Sequence, residues 1–335
     1  MHRLWSALVL LAPLNALAQD AVRLEAVRKA QQGFGNPSLT LHFSVSGHAT
    51  ANLTCGPRSY GMSEGVLPSS KKTIELDGLP AGTHQCRGTL TLEAGDGTSG
   101  EMPLSFDVAM LNPLNVTVNR EELDTENFQM IVRADRYLSR VHVEVFGEGG
   151  HQLGMGETSA GGMDTVGLEW NQQPGEALKL VVTAWDMDDL PGKVELMPWS
   201  YSIPHEDVVF ATGSSNIEAT ENPKLQKAYD DLKAVEARYG SVVDVKLYVA
   251  GYTDTVGGTA SNQVLSEARA KSIARWFRNR GFAGQVFFQG FGEEVLAITT
   301  PDETDAAQNR RAIYILCADT PVSPEVPRKN WTRLQ

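Results

Sequence analysis

The hydrophobic period of this chain changes once, at Ile203-Pro204, and that change divides what it can fold into. Upstream, apolar and polar residues alternate. Leu39, Leu41, Phe43 and Val45 fall on one side of a strand, with Thr40, His42, Ser44 and Ser46 on the other. Phe128, Met130 and Val132 repeat the pattern, as do Val141, Val143 and Val145, and Leu178, Leu180, Val182 and Ala184. Period 2 is the mark of strands with one buried face. Turn signals at Pro80-Ala81-Gly82, Gly95-Asp96-Gly97, Pro174-Gly175 and Pro191-Gly192 separate the strands at intervals typical of all-β domains. Downstream, Leu225, Ala228, Tyr229, Leu232, Val235 and Tyr239 follow a 3.6-residue period between Asn222-Pro223 and Gly240, which start and stop a helix.

The upstream part carries a weak internal repeat. Pro80-Ala81-Gly82 precedes Leu90-Thr91-Leu92-Glu93-Ala94-Gly95-Asp96, and Pro174-Gly175 precedes Leu180-Val181-Val182-Thr183-Ala184-Trp185-Asp186, about 90 residues later. That spacing is close to one immunoglobulin-like unit. Two β-sandwich units are therefore expected, over residues 19–111 and 112–204, divided near Asn112-Pro113. The competing architecture for residues 20–204 is an outer-membrane β-barrel, which also alternates. Its strands would run ~9–11 residues and carry aromatic girdles. Here the strands read shorter and aromatics are scarce in the first unit. The acidic cluster Asp186, Asp188 and Asp189 lacks the rest of a calcium loop, since Leu190 and Met197 stand where further ligands are needed. A solvated turn is expected there.

His2-Arg3, the apolar run Leu4 to Ala12, Pro13 and Ala16-Leu17-Ala18 predict a cleaved signal peptide over residues 1–18 and export. No Cys follows the cleavage site, so an N-terminal lipid anchor is not expected. An oxidising compartment suits a disulfide between Cys55 and Cys86, and leaves Cys317 as a buried small hydrophobe in a final strand. Among 335 residues the formal net charge is -12. With no excess of Lys and Arg to neutralise phosphates, nucleic acid is not an expected partner.

Residues 205–319 read as a compact α+β unit in the order β-α-β-α-β-β. Val208-Val209-Phe210 is a short strand, and the helix from Asn222 follows. The strand of Val243, Val245, Leu247 and Val249 ends at Gly251-Tyr252-Thr253-Asp254. A second helix runs from about Asn262 to Arg280, and strands lie at Val286-Phe287-Phe288 and Ala312–Cys317. No His follows His205 and only one Cys is present, so no Ser-His, Cys-His or Cys/His zinc constellation can be assembled inside this unit. No phosphate-cradling glycine loop occurs either. No enzyme, metal or cofactor is expected. The weakest of the alternatives is a glycan hydrolase working with surface carboxylates.

What stands out is a polar constellation. Asp254 ends a strand, where ligand sites in α/β sheets open. Past Gly257-Gly258 the second helix begins, and its first N–H groups form a natural carboxylate site. On that helix Asn262, Ser266 and Arg269 fall at i, i+4 and i+7 and share one face. A carboxylate on the loop and a guanidinium on the helix together fit a zwitterion. The bland alternative is an Asp254–Arg269 ion pair holding loop to helix, with Asn262 as a cap.

Phe210-Ala211-Thr212-Gly213-Ser214-Ser215, Gly251-Tyr252-Thr253-Asp254, Asn262-x-x-Leu265-Ser266-x-x-Arg269-Ala270, Gly290-x-Gly292-Glu293 and Asn309-Arg310-Arg311 occur in this order. The series resembles the OmpA-like C-terminal domain of OmpA, the Pal lipoproteins and MotB. The resemblance covers about residues 205–318 and implies a noncatalytic module that binds the stem peptide of peptidoglycan through its diaminopimelate. It implies that Asp254 meets the ammonium and Arg269 the carboxylate, with Thr253, Asn262 and Arg310 as further site residues. Tyr252 stands where many members have His, and the Pro that often follows Gly-x-Gly-Glu is absent. The reading is thus of a multidomain cell-envelope protein, periplasmic or associated with the outer membrane. An all-β N-terminal half of two immunoglobulin-like sandwich units precedes the α+β module. The β units are expected to act as scaffold or to bind an envelope protein partner, and a homodimer stays open. After Asp319, Pro321, Pro324 and Pro327 predict a disordered tail over residues 320–335.

Overall fold

Alternation upstream of Pro204 produces open sheets, each with its apolar side turned inward. The computed structural model describes residues 21–211 and 213–335. The expected signal peptide lies outside the described residues. The first eight strands are β1 (Val22–Val27), β2 (Lys29–Gln31), β3 (Ser38–Phe43), β4 (Gly47–Cys55), β5 (Arg58–Val66), β6 (Lys71–Glu75), β7 (Gly82–Ala94) and β8 (Ser99–Leu111). They form two sheets, in the orders β1-β3-β6 and β2-β8-β7-β4-β5, with only β2 parallel to its neighbour. Leu39, Leu41 and Phe43 from one sheet and Ala49, Ala51, Leu53 and Leu90 from the other share one core. Cys55 and Cys86 face each other across β4 and β7 and form a disulfide.

The next group comprises β9 (Val116–Asp124), β10 (Gln129–Phe146), β11 (Gln152–Glu169), β12 (Asn171–Gln172), β13 (Lys179–Asp186) and β14 (Pro191–Leu196). All six belong to a single sheet rather than the two of an ordinary sandwich. The register of β10 slips between Arg133 and Leu138 and again before Arg140. Such bulges bend a strand. Both halves of the long strands therefore serve one core, in which Val116, Met130 and Val166 meet Val141, Val143 and Val182. None of these sheets closes on itself, and their apolar sides face protein cores. Residues 21–204 do not build the outer-membrane barrel weighed from the sequence. The acidic turn is not simply solvated either. Asp186 is buried, accepts the N–H groups of Asp188 and Leu190, and pairs with Arg136 at 2.9 Å. Asp188 pairs with Lys29 and Asp189 with Arg140, each at 2.6 Å.

The α+β part contains β15 (Ser200–Ser202), α1 (Asn222–Tyr239), β16 (Lys246–Gly251), α2 (Thr259–Asn279), β17 (Val286–Gly290), β18 (Ala312–Cys317) and β19 (Thr332–Arg333). The sheet order is β15-β18-β16-β17-β19, antiparallel except for the β16/β17 pair. Val208-Val209-Phe210 is not a strand. The edge position beside β18 is taken by β15, upstream of Pro204, while Val209 gives its N–H to Glu221 at 2.9 Å. Both helices pack on one face, where Leu225, Leu232, Ile273 and Phe277 bury against Leu247, Val249, Tyr314 and Leu316.

The expectation of a disordered tail is overturned. β19 pairs with β17, Val326 and Leu334 are buried, and Tyr252 donates its hydroxyl to Glu325 O at 2.6 Å. Val326 and Trp331 join Tyr248, Tyr252, Phe291 and Cys317 in a second core on the face the helices leave open. The preceding β unit is docked as well. Leu178 lies in the helix-side core, Trp199 and Tyr239 rings sit 5.1 Å apart, and Arg238 pairs with Glu148 at 2.8 Å. No helix among the described residues is long and apolar enough to cross a membrane.

Candidate functional site

The site begins with two glycines that let a helix lie close on two parallel strands. A Cβ on Gly251 would stand 2.4 Å from Ser266 O, and one on Gly290 would stand 2.5 Å from Ser266 Oγ. With only hydrogen at both positions, α2 crosses the ends of β16 and β17, where Tyr252-Thr253-Asp254 and Phe291-Gly292-Glu293 leave the sheet. Carboxyl ends of parallel strands are where such sheets open to ligands. The i, i+4, i+7 spacing on α2 holds, since Asn262, Ser266 and Arg269 are all buried. Ser266 Oγ accepts the Gly292 N–H at 2.9 Å. Asn262 Nδ2 lies 3.3 Å from Asp254 O, 3.2 Å from Val256 O and 2.6 Å from Glu293 Oε2, tying both loops to the helix.

The Asp254–Arg269 ion pair weighed as the alternative is not formed. Asp254, 7% exposed, turns Oδ2 to Arg310 Nη1 at 2.5 Å, and Oδ1 accepts the Val256 N–H at 3.4 Å. The same Arg310 Nη1 also bonds Asp305. Arg269, 8% exposed, donates Nε to Ser214 O at 3.0 Å and Nη2 to Ala211 O at 3.5 Å, and its guanidinium lies 5.1 Å from the Phe210 ring centre. Among the described residues no carboxylate comes within 4.0 Å of it. Burial lowers its pKa, the charge of Arg310 lowers it further, and Asp254 works the other way. Hydrogen bonds to Asp305 and Asp254 raise that of Arg310.

These groups line one groove of about 1020 Å³, walled by Val208–Phe210, the Thr253-Asp254 loop, α2 and Arg310–Ala312. The Thr253 hydroxyl is buried there without a hydrogen-bond partner, as is Nη1 of Arg311, whose guanidinium stacks 4.4 Å from the Tyr252 ring centre. The groove thus offers a buried acid and a buried cation that do not satisfy each other. That combination suits a ligand carrying both charges.

The start of α2 is a poorer anion site than the sequence suggested. Glu293 takes hydrogen bonds from Thr259 Oγ1 at 2.5 Å and from Asn262, and Glu303 takes the Gly257 N–H at 3.2 Å. Two acids already occupy the positive end of the helix. The structure brings Asp254, Thr253, Asn262, Arg269 and Arg310 to one groove, together with Asp305 and Arg311, which sequence reasoning did not single out. The Asn309-Arg310-Arg311 motif pointed at Arg311, whereas nothing in the spacing pointed at Asp305.

Residues 209–310 match the OmpA family. Over 88 residues the chain is 38% identical to outer membrane protein A of Serratia odorifera, covering 26% of this chain and 34% of that one. Over 100 residues it is 33% identical to outer membrane protein P5 of Haemophilus influenzae, covering 30% and 26%. The chain spans well under half the length of these relatives. The peptidoglycan-associated lipoprotein of Burkholderia pseudomallei aligns with 33% of this chain and 88% of its own, at 25% identity and a TM-score of 0.28. The periplasmic domain of Helicobacter pylori MotB aligns with 44% and 78%, at 13% identity and a TM-score of 0.28.

Proposed function

Residues 209–310 being an OmpA-family domain, we propose that the protein is a noncatalytic component of the bacterial cell envelope that holds peptidoglycan through the diaminopimelate of the stem peptide. The observation that carries this reading is Arg269, a buried cation with no carboxylate partner among the described residues, in the groove that also holds Asp254. The ligand ammonium goes to Asp254, with the unpartnered Thr253 hydroxyl beside it. The ligand carboxylate goes to the fork of Arg269, where geometry favours a planar acid. Asn262 acts by holding the Asp254 loop. The start of α2 takes no part, because Glu293 and Glu303 repel a further carboxylate there. The disulfide-stapled first unit and the docked second unit serve as scaffold or as a surface for an envelope protein, in the periplasm or at the outer membrane.

Co-sedimentation with purified sacculi tests the proposal. Mature protein should pellet with the wall, and folded Asp254→Ala and Arg269→Ala variants should stay in solution. A folded wild type that remains in the supernatant would sink it. Clearing of cell-wall material in a zymogram would instead support a hydrolase.

A further inference from the structure

The proposed ligand needs Asp254, yet in the free protein that carboxylate is already taken. Arg310 Nη1 sits on Asp254 Oδ2 at 2.5 Å and reaches Asp305 at the same time. The two acids differ sharply in setting: the side chain of Asp254 is 10% exposed and that of Asp305 is 78% exposed. Arg310 itself is 38% exposed, at the groove wall rather than under it. One guanidinium thus bridges a buried acid and an exposed acid of the same groove.

We infer, on the reading of the groove just proposed, that Arg310 is a displaceable counter-ion that the ligand ammonium drives from Asp254 to Asp305, so that Arg310 sets the affinity threshold of the site. With the ligand ammonium bound, Arg310 would be a second cation on one buried carboxylate, and Arg269 lines the same groove, so the three charges repel one another. Arg269 is fixed by backbone carbonyls and by Phe210. Arg310 has somewhere to go, because Asp305 already holds it at an exposed position.

A threshold follows from this exchange. A lone amine that enters must break the Asp254–Arg310 pair and gains one charge contact in return. A ligand carrying ammonium and carboxylate together gains Arg269 as well, which offsets the cost of displacement. Displacement costs both ligands the same, so Arg310 lowers every affinity by one factor: plain amines, such as a stem peptide with lysine in place of diaminopimelate, are left weakest, and the zwitterionic side chain recovers the cost through Arg269. Asp305 is the positioning residue that receives the displaced guanidinium.

The test is calorimetric titration of the mature full-length protein with two stem tripeptides, one ending in diaminopimelate and one in lysine. Wild type should prefer the diaminopimelate peptide. In Arg310→Ala both peptides should gain about tenfold, the preference between them staying with Arg269. In Asp305→Asn the diaminopimelate peptide should weaken several-fold. A folded Arg310→Ala that loses tenfold or more for the diaminopimelate peptide, or leaves both affinities unchanged, would overturn the inference; the first result would make Arg310 a direct ligand. Asp254→Ala separates the two readings. If it abolishes binding of a wild type that binds, the groove assignment stands and the Arg310 arms alone decide. A wild type that binds neither peptide overturns both.

Discussion

Replacing Arg269 with Met removes the guanidinium and keeps most of the side-chain length, which makes it the sharpest probe of whether this residue serves a ligand or the fold. On the folding side two terms oppose each other. Two hydrogen bonds to Ser214 O and Ala211 O are lost, each typically about 0.5–1.5 kcal/mol net. Against this, a buried cation with no carboxylate partner disappears, and with it a desolvation penalty of comparable size. Stability should therefore change by no more than about 1 kcal/mol, a shift in Tm within about 4 °C. On the binding side the loss is one-sided, since the ligand carboxylate would be buried without a counter-charge. That costs about 2–5 kcal/mol, so Kd should rise from about thirty-fold to several thousand-fold. Calorimetric titration with the diaminopimelate tripeptide and a thermal melt of the same preparation read both terms. A melt lowered by more than about 8 °C together with unchanged affinity would refute the reasoning and make Arg269 a structural residue.

Three further outcomes are expected. Burial pushes the Cys317 thiol up to about 12, so it should be inert to Ellman's reagent at pH 8; in a chain ended at Asp319 the second core is uncovered, and the thiol should react at least about tenfold faster. Equal rates would show that residues 320–335 do not cover that face. Cys55→Ser with Cys86→Ser should lower stability to urea by about 3–4 kcal/mol, given a separation of 31 residues along the chain; the same midpoint in the variant and the oxidised wild type would contradict it. Hydrogen bonds from Lys224 and then from the Val209 N–H hold the Glu221 carboxyl below its ordinary range. A lowered folded value stabilises above the unfolded value and is lost as pH falls through the folded one. Exchange protection of the Val209 amide should thus fade on acidification, and Glu221→Gln should remove that dependence.

The parts of the site that follow a period were legible in the sequence, and the parts set by loop paths were not. Asn262, Ser266 and Arg269 recur at helical spacing, and all three are buried on one side of α2. Asp254 was placed at a strand end by the alternation that precedes it. Its partner was not, because the pairing depends on where the loop carrying Asp305 and Arg310 runs after β17. That stretch has neither alternation nor a helical repeat, and the absence of the Pro after Gly290-x-Gly292-Glu293 left its path open. The same loop brings Glu303 to the Gly257 N–H, which is why the anion site expected at the start of α2 is already filled. In the second β unit, period 2 located the strands. The bend that turns two sheets into one arises from register slips in β10, and a slip adds no residue type to look for.

The misread tail has a different origin, since its clue was on view. In β16, Leu247 and Val249 alternate with Tyr248 and Ala250; in β18, Tyr314 and Leu316 alternate with Ile313, Ile315 and Cys317. Both sets are apolar, so this sheet must be buried on both faces. Two helices can cover only one of them, and α1 and α2 lie together on the side of Leu247 and Tyr314. Something else has to shield Tyr248, Ala250 and Tyr252. The proline-rich segment follows β18, and its apolar residues Val326 and Trp331 are placed to do it. Val326 and Trp331 fill the second core, and the strand of Thr332-Arg333 pairs with the sheet edge at β17. Proline removes hydrogen-bond donors and fixes φ, but it does not prevent docking. Composition argued for disorder, while the unmet burial of the opposite face argued for order. The second is the stronger physical demand. Because Tyr252 directly precedes Thr253 and Asp254, the covering tail also braces the acid on which the groove depends.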